Sequence, residues 1–510
     1  MKRLTRAMAA VLAATPLLLV GTVAGSPAAQ AASAYPPGGP DQTPVMGWSG
    51  WSFLRLGANT SQVEGEAKAL VSTGLAAAGY NYVNLDDGWY QCPGSQGPNV
   101  DADGRWVVNT ATYPNVGSEN GIQALASYVH GLGLKFGIYE TAGISGQAVS
   151  ENTPILGTSD TADGIATTAS QANYNCGGMD AIDYSAPGAQ AYVNSVVDEL
   201  ASWGVDYIKL DGITDTNGPD IKAWQAAIQQ SGRPMVLDAT EGSFDTALAP
   251  TLDEYANQWE FSPDIETNGP DEGSADACNS APYTGCTSVF PLTGYASWDD
   301  RFDSVAQWQP YGGPGGFNDY DSIEVGNGSA DSGLSLAASE TQLSLWSLGS
   351  APLILGGDLT SSVTNAYGTS AGLTATDLSL LTNAQVIKVD QDSIDASRIA
   401  KSGTPGSHAG NQVFAKVESS GDGIVGLFNT TTKTSSSAVT ISTTAAAIGL
   451  PADPYGYQVQ DLWAGNSVAV GGQSTFDISS AGKISATVPA EGVALYRVTP
   501  LTSSAKHCKH

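Results

Sequence analysis

Residues 205–212 read VDYIKLDG, a short β-like run that follows a segment of helical period, GAQAYVNSVVDELASWG (188–204), and ends on a lysine and an aspartate. The same kind of run recurs at PVMGWSGW (44–51), YNYVNLDDGW (80–89), LKFGIYET (134–141) and RPMVLDATEG (233–242). Further copies stand at YANQWEF (255–261), GGFNDYDSIEVG (315–326) and APLILGG (351–357). Amphipathic stretches lie between them, among them SQVEGEAKALVSTGLAAAGY (61–80), GIQALASYVHGLGL (121–134) and SETQLSLWSLGS (339–350). Ser61 with Glu64 three residues on has the spacing of a capping box and is read as the start of the first helix. Eight β-then-α units in roughly 350 residues predict an α/β fold, a (β/α)8 TIM barrel with insertions, over residues 40–395. Periodicity alone also allows a doubly wound open sheet. The barrel is favoured because nearly every strand run ends in polar or aromatic residues, and barrel strands converge on one active site at their C-terminal ends.

Beyond residue 395 the pattern changes. NQVFAKVES (411–419), GIVGLFNTT (423–431), SSAVTIST (436–443), YQVQDLWAG (457–465) and GVALYRVTP (492–500) are short, alternating and β-branched, with turn residues between them. They predict a C-terminal antiparallel β-sandwich domain over 396–500, with 501–510 as a disordered tail. At the other end, Lys2, Arg3 and Arg6 precede an apolar run that closes on Ala29-Gln30-Ala31. That is the pattern of a secretory signal peptide, residues 1–31, so the mature chain is expected to be secreted. No other stretch is long and apolar enough to span a bilayer, so no membrane insertion is expected. A formal net charge of −30 opposes binding to nucleic acid or anionic membranes, which it would repel.

Export permits disulfides. Cys278 and Cys286 could close a small loop, Cys92 with Cys176 is the natural second pair, and Cys508 is left over. There is no C-x-x-C pair and there are only four histidines, two of them in the tail. A protein-built zinc site is therefore not expected, and no cofactor is.

The strand ends carry the chemistry. Trp48 and Trp51 close the first run, Asp86, Asp87 and Trp89 the second, and Tyr139 the third. Lys209 and Asp211 close the fourth, Glu241 the fifth, and Glu260 and Asp264 the sixth, with Asp319 and Asp321 in the seventh. Carboxylates, one lysine and several aromatics suit a sugar: aromatic faces pack on a pyranose and charged groups bond its hydroxyls. Two carboxyls flanking a glycosidic bond suffice to hydrolyse it. Taken one at a time, Asp86-Asp87 could equally be a solvated turn or a calcium-ligand pair, Lys209 and Asp211 a buried ion pair, and Trp51 plain core.

Eight segments in order, PVMGWSGW, YNYVNLDDGW, DADGRWV, GLKFGIYE, ASWGVDYIKLD, GPGGFNDYDSIEVGNG, LWSLGSAPLILGGDL and VIKVDQD, give the chain a resemblance to glycoside hydrolase family 27, the α-galactosidase and α-N-acetylgalactosaminidase group. LWAG and VPAEGVALYRV extend it loosely into the sandwich. The resemblance implies retaining hydrolysis of an oligo- or polysaccharide by double displacement, with Asp211 of the Y-x-K-x-D motif as nucleophile. The family's W-R-x-x-x-D-I pattern maps onto residues 259–265, which implies Asp264 as acid/base, while Asp319 and Asp321 are read as structural. Lys209 would contact the sugar and keep Asp211 ionised; Asp86, Asp87, Trp51 and Tyr139 match the family's sugar pocket.

Three departures bear on substrate. Glu260 stands where the family carries arginine, and is read as an acceptor that adds negative charge beside Asp264. Thr240-Glu241-Gly242 replaces the family's C-E-W, leaving Glu241 as a candidate sugar ligand. Long insertions follow the third and sixth strands, at about 142–185 and 267–297. The expectation is an exported enzyme that cleaves terminal α-D-galactosides. The alternatives are isomaltodextranase-like or β-L-arabinopyranosidase-like specificity and, in a different class, a sugar-binding protein without catalysis.

Overall fold

The computed structural model describes residues 42–501, except Ser95 and the segments 241–244, 268–295, 327–333, 362–363, 366–367, 370–371, 403–409, 432–437 and 465–474. The expected signal peptide, Glu241, Cys278, Cys286, Cys508 and the tail lie outside the described residues.

Each predicted run contains a strand: β1 (Met46–Ser49), β2 (Tyr82–Leu85), β3 (Lys135–Thr141), β4 (Tyr207–Asp211), β5 (Val236–Ala239), β6 (Gln258–Glu260), β7 (Phe317–Asp319) and β8 (Leu353–Leu355). They form one parallel eight-stranded sheet in the order β7-β6-β5-β4-β3-β2-β1-β8. Its two ends meet where Ile323, just past β7, bridges Leu355 of β8 in parallel. The Ile323 N–H donates to Ile354 O at 2.7 Å and the Gly356 N–H to Ile323 O at 2.9 Å. The sheet is therefore curled shut, a (β/α)8 barrel and not an open doubly wound sheet. Register then stacks the strand ends in levels: Tyr139 beside Lys209 beside Asp238, Thr141 beside Asp211, and Glu260 beside Asp319.

Helices α1 (Thr60–Ser72), α2 (Gly121–Gly131), α3 (Ala189–Trp203), α4 (Gly218–Ser231) and α5 (Ala249–Tyr255) turn apolar faces to the sheet. The cap of α1 is not the expected one. Asn59, in extended conformation, accepts from the Gln62 N–H at 3.2 Å, and Ser61 already lies inside the helix. Asparagine caps as well as serine does, so the earlier residue prevails.

From Ser397 onward the chain is antiparallel. One sheet orders β9 (Ser397–Ser402), β10 (Asn411–Val417), β11 (Gly423–Asn429), β16 (Gly492–Pro500), β13 (Tyr457–Asp461) and β14 (Thr475–Ile478). The pair β12 (Val439–Thr444) and β15 (Lys483–Val488) covers it, with Val425, Leu427, Ile441, Val459 and Ile484 buried between. This sandwich packs on helix α7 (Leu336–Leu348) of the barrel, where Trp463 Nε1 donates to Ser344 Oγ at 2.9 Å and Thr341 Oγ1 to Glu491 O at 2.7 Å. Phe302 sits edge-on to Phe414 and Phe428, with ring centroids 5.8 and 5.0 Å away.

The insertion after β3 folds into a small antiparallel sheet of Ile144–Ser145, Met179–Ile182 and Ala166–Gln171. A Cys92–Cys176 disulfide, Cα atoms 5.7 Å apart, fastens it to the segment after β2. Among the described residues no helix is long and apolar enough to cross a membrane.

Candidate active site

The C-terminal ends of the strands surround a cavity of about 180 Å³ lined by Trp51, Asp86, Asp87, Tyr139, Tyr174, Asn175, Lys209, Asp211, Pro263 and Asp264. Below it, toward the barrel axis, a second chamber shares Trp51, Asp86, Lys209 and Asp264 and adds Tyr207, Asp238, Glu260, Asp319 and Asp321. The structure thus brings together Trp51, Asp86, Asp87, Tyr139, Lys209, Asp211, Glu260, Asp264, Asp319 and Asp321, whereas Trp48 and Trp89 line neither chamber and donate to Gly357 O and Tyr139 O.

Alternation along β4 puts Lys209 and Asp211 on one face, both turned into the cavity. Lys209 Nζ donates to Asp86 Oδ2 at 2.9 Å. Burial works against that ammonium, yet Asp86, Asp211, Asp264 and Glu260 together hold its pKa well above the usual lysine value. Asp86 in turn accepts from the Asp87 N–H at 2.8 Å. Asp87 accepts from the Gly88 N–H at 2.7 Å and from the Asn175 side-chain amide. Burial pushes Asp87 up to about 6, against the hydrogen bonds from Asn175 and Tyr90. Tyr139 lines the cavity, and its buried hydroxyl has no hydrogen-bond partner among the described residues.

Asp211 departs from expectation. Burial pushes its carboxyl up to about 7, Lys209 only partly offsets this, and the nearby Asp264 raises it further. The lysine gives its hydrogen bond to Asp86, while among the described side-chain donors Asp211 Oδ1 accepts from the Thr240 hydroxyl, at 3.2 Å.

The surroundings of Glu260 work against the negative charge that its reading as an acceptor gives it. It is buried in the lining of the second chamber, and burial, followed by Asp321 and Asp264, lifts its pKa well above the usual glutamate value; Arg301 only partly counteracts this. The shift favours the protonated form, which can donate as well as accept.

Arg301, at the start of helix α6 (Arg301–Trp308), was not among the sequence candidates. Its buried guanidinium lies 3.7 Å from Glu260 Oε1 and 3.9 Å from Asp321 Oδ2. It donates from Nη2 to Pro263 O at 2.7 Å and from Nε to Tyr320 O at 3.0 Å. On the other side of Asp264, the Ile265 N–H donates to Asp321 Oδ2 at 2.5 Å. Both backbone neighbours of Asp264 are therefore tied down. Carboxylate oxygens of Glu260, Asp264 and Asp321 lie within 4.8 Å of one another, a spacing that could hold a cation, although Arg301 already places a positive charge beside two of them.

Tyr174 and Asn175 were missed as well. Their signal was their neighbour Cys176: once it is paired with Cys92, these residues are carried to the end of β2. Arg301 had no such signal, being about 40 residues away from Glu260, across the insertion that follows β6.

Comparison with known proteins agrees with this architecture. The family described as "Alpha galactosidase A" matches residues 43–152 and 283–392, and the "Alpha galactosidase C-terminal beta sandwich domain" matches 408–498. Asp211 and Asp264 fall between the two matched stretches of the first. An α-galactosidase of Oryza sativa subsp. japonica is 30% identical over 462 residues, covering 90% of this chain and 85% of the relative. One of Cyamopsis tetragonoloba is 30% identical over 463 residues, 90% of this chain and 87% of its own. Among solved structures, a family 27 β-L-arabinopyranosidase from Geobacillus stearothermophilus superposes with a TM-score of 0.72 at 26% identity, covering 91% of this chain and 98% of that one. α-Galactosidase I from Mortierella vinacea gives 0.66 at 25% identity, covering 92% and 100%. With this barrel, this sandwich and these relatives, the chain belongs to glycoside hydrolase family 27 and is a glycoside hydrolase.

Proposed function

We propose that the enzyme removes terminal α-D-galactosyl residues from oligo- or polysaccharides with retention of anomeric configuration. The observation that carries this reading is one cavity faced by Asp211 and Asp264 together with the Lys209–Asp86 pair. Asp211, as carboxylate, attacks the anomeric carbon while Asp264 protonates the departing oxygen, giving a glycosyl-aspartate. Asp264 then takes a proton from water, which attacks the anomeric carbon and releases Asp211. Asp86, Asp87 and Lys209 bond the sugar hydroxyls, Tyr139 offers its hydroxyl, and Trp51 packs on the ring.

One observation favours a second glycone. Glu260 is a buried carboxyl in the lining of the second chamber, its pKa raised by burial, where the resemblance leads one to expect a cation. β-L-Arabinopyranosides, which differ from α-D-galactosides in lacking the exocyclic hydroxymethyl group, and isomaltosyl units of dextran are the substrates to weigh against galactosides. Nitrophenyl α-D-galactoside, nitrophenyl β-L-arabinopyranoside and dextran, each followed by NMR for the first anomer released, decide between them. Preferential turnover of the galactoside with the α-anomer first supports the proposal. Turnover of dextran or the arabinoside alone overturns the glycone, and an inverted first product overturns the mechanism.

Export is part of the same proposal. The basic-apolar-A-x-A start supports it, as does the Cys92–Cys176 disulfide, which fits an oxidising compartment. N-terminal sequencing of protein from the culture medium should begin after Ala31.

A further inference from the structure

The cavity has an inner part, where Asp211, Asp86 and Lys209 meet, and a rim. On the rim stands Tyr174, a large aromatic left 37% exposed. It belongs to the insertion after β3 and is held from both sides. On one side, Cys176 is bonded to Cys92, and the Asn173 side chain exchanges hydrogen bonds with the Tyr90 hydroxyl at 3.1–3.2 Å. The turn is closed by the Cys176 N–H donating to Asn173 Oδ1 at 2.9 Å. On the other, Gln171 Nε2 donates to Gly212 O, next to Asp211, at 2.6 Å, and Gln171 Oε1 accepts from Asn217 Nδ2 at 2.9 Å. The adjacent Asn175 amide reaches inward to Asp87. An aromatic ring is thus fixed at the mouth of the pocket by anchors that lead directly to the residues proposed to bind the glycone.

A fixed, part-exposed aromatic beside a polar pocket has the form of a platform for the apolar face of a sugar. The inner pocket accounts for the glycone, so a ring packing on Tyr174 belongs to the part of the substrate across the scissile bond. We infer that Tyr174 forms a leaving-group subsite that takes a pyranose ring. The inference rests on the proposed reaction centre, and it makes the enzyme selective for glycosides whose leaving group is itself a sugar.

The test uses glycosyl fluorides, whose leaving group has no ring, with methyl α-D-glucopyranoside as an added acceptor. The acceptor must occupy the leaving-group subsite to intercept the glycosyl-enzyme. The donor is whichever of α-D-galactosyl fluoride and β-L-arabinopyranosyl fluoride the wild type consumes. Tyr174→Ala should lower the ratio of transfer to hydrolysis about tenfold, the worth of one aromatic stacking contact, while fluoride consumption stays within about twofold of wild type. Tyr174→Phe should keep the wild-type ratio. An unchanged ratio in Tyr174→Ala overturns the subsite alone, as does an equal fall in fluoride consumption and transfer. A wild type that consumes neither fluoride and releases no sugar from dextran overturns the reaction centre and the subsite together.

Discussion

Lys209, part-buried at the mouth of the barrel, and Lys416, buried between sandwich and barrel, both lose hydration, and their charges fare oppositely. Lys209 faces Asp86, Asp211, Asp264 and Glu260, whose combined field outweighs burial and raises its pKa. Lys416, on β10, donates to Val389 O and Ile394 O at 2.7 Å, Ser350 Oγ at 3.0 Å and Ser347 O at 3.2 Å. There burial wins: the pKa falls to about 8 in spite of Asp390 and Asp395, both lifted well above the carboxylate range by their own burial. Neutral carbonyls satisfy the donors at the interface without holding the charge as firmly as carboxylates do. The mouth concentrates charge where a polar ligand would meet it, whereas the interface uses an ammonium as a fastener between barrel and sandwich.

Substitutions can break this contrast. The largest effect is expected from Asp211→Asn, which should lower kcat by on the order of 10^4-fold or more with the circular dichroism spectrum unchanged. Full activity in that variant would remove Asp211 as nucleophile. Lys209→Met should follow, with kcat/KM down about 10^2-fold through loss of a charged donor in the cavity. Lys416→Met is expected to leave kcat/KM alone and to lower stability by about 3 kcal/mol, because buried acceptors lose their donor. A shifted urea midpoint at constant m would show it.

Arg301→Lys keeps the charge but loses the fork that spans Pro263 O and Tyr320 O. A drop in kcat of about tenfold is expected, since small misplacement of a reacting group is costly. The smallest effects are in pH. As Asp211 ionises, kcat/KM, which reports the free enzyme, should rise through about pH 7. For Lys416 the sign runs the other way from a stabilised charge. Its folded pKa of about 8 lies below the reference 10.5, so between those values the unfolded chain binds more protons. Its contribution to stability therefore grows as pH rises from about 8 to 10.5, and Lys416→Met should flatten that slope in urea titrations.

Local signals led correctly to every barrel strand, because each is an apolar run whose own composition favours extended backbone. Local reading failed where a competitor or a second layer intervened. Asn59 took the cap that Ser61 and Glu64 were expected to form. SETQLSLWSLGS read as amphipathic, yet α7 is buried on both faces because the sandwich covers what would have been its polar side. Its polar residues find partners there and in the barrel: Ser344 with Trp463, and Gln342 with Ser322 O and the Glu324 N–H.

The candidate site divides in the same way. Asp86, Asp87, Lys209, Asp211, Glu260 and Asp264 were legible because parallel strands bring their C-terminal ends to one place whatever the loops do. The amino-acid sequence alone thus determined the barrel, the sandwich and the identities of these strand-end residues, since period, turn chemistry and motif order are properties of neighbouring residues. Only the tertiary structure decided the burial of Glu260 and the upward shift that follows from it, the partner of Lys209, the bracing of Asp264 by Arg301, and the arrival of Tyr174 at the rim. Burial and fields from distant segments set each of these, and neither quantity exists until the chain has closed on itself.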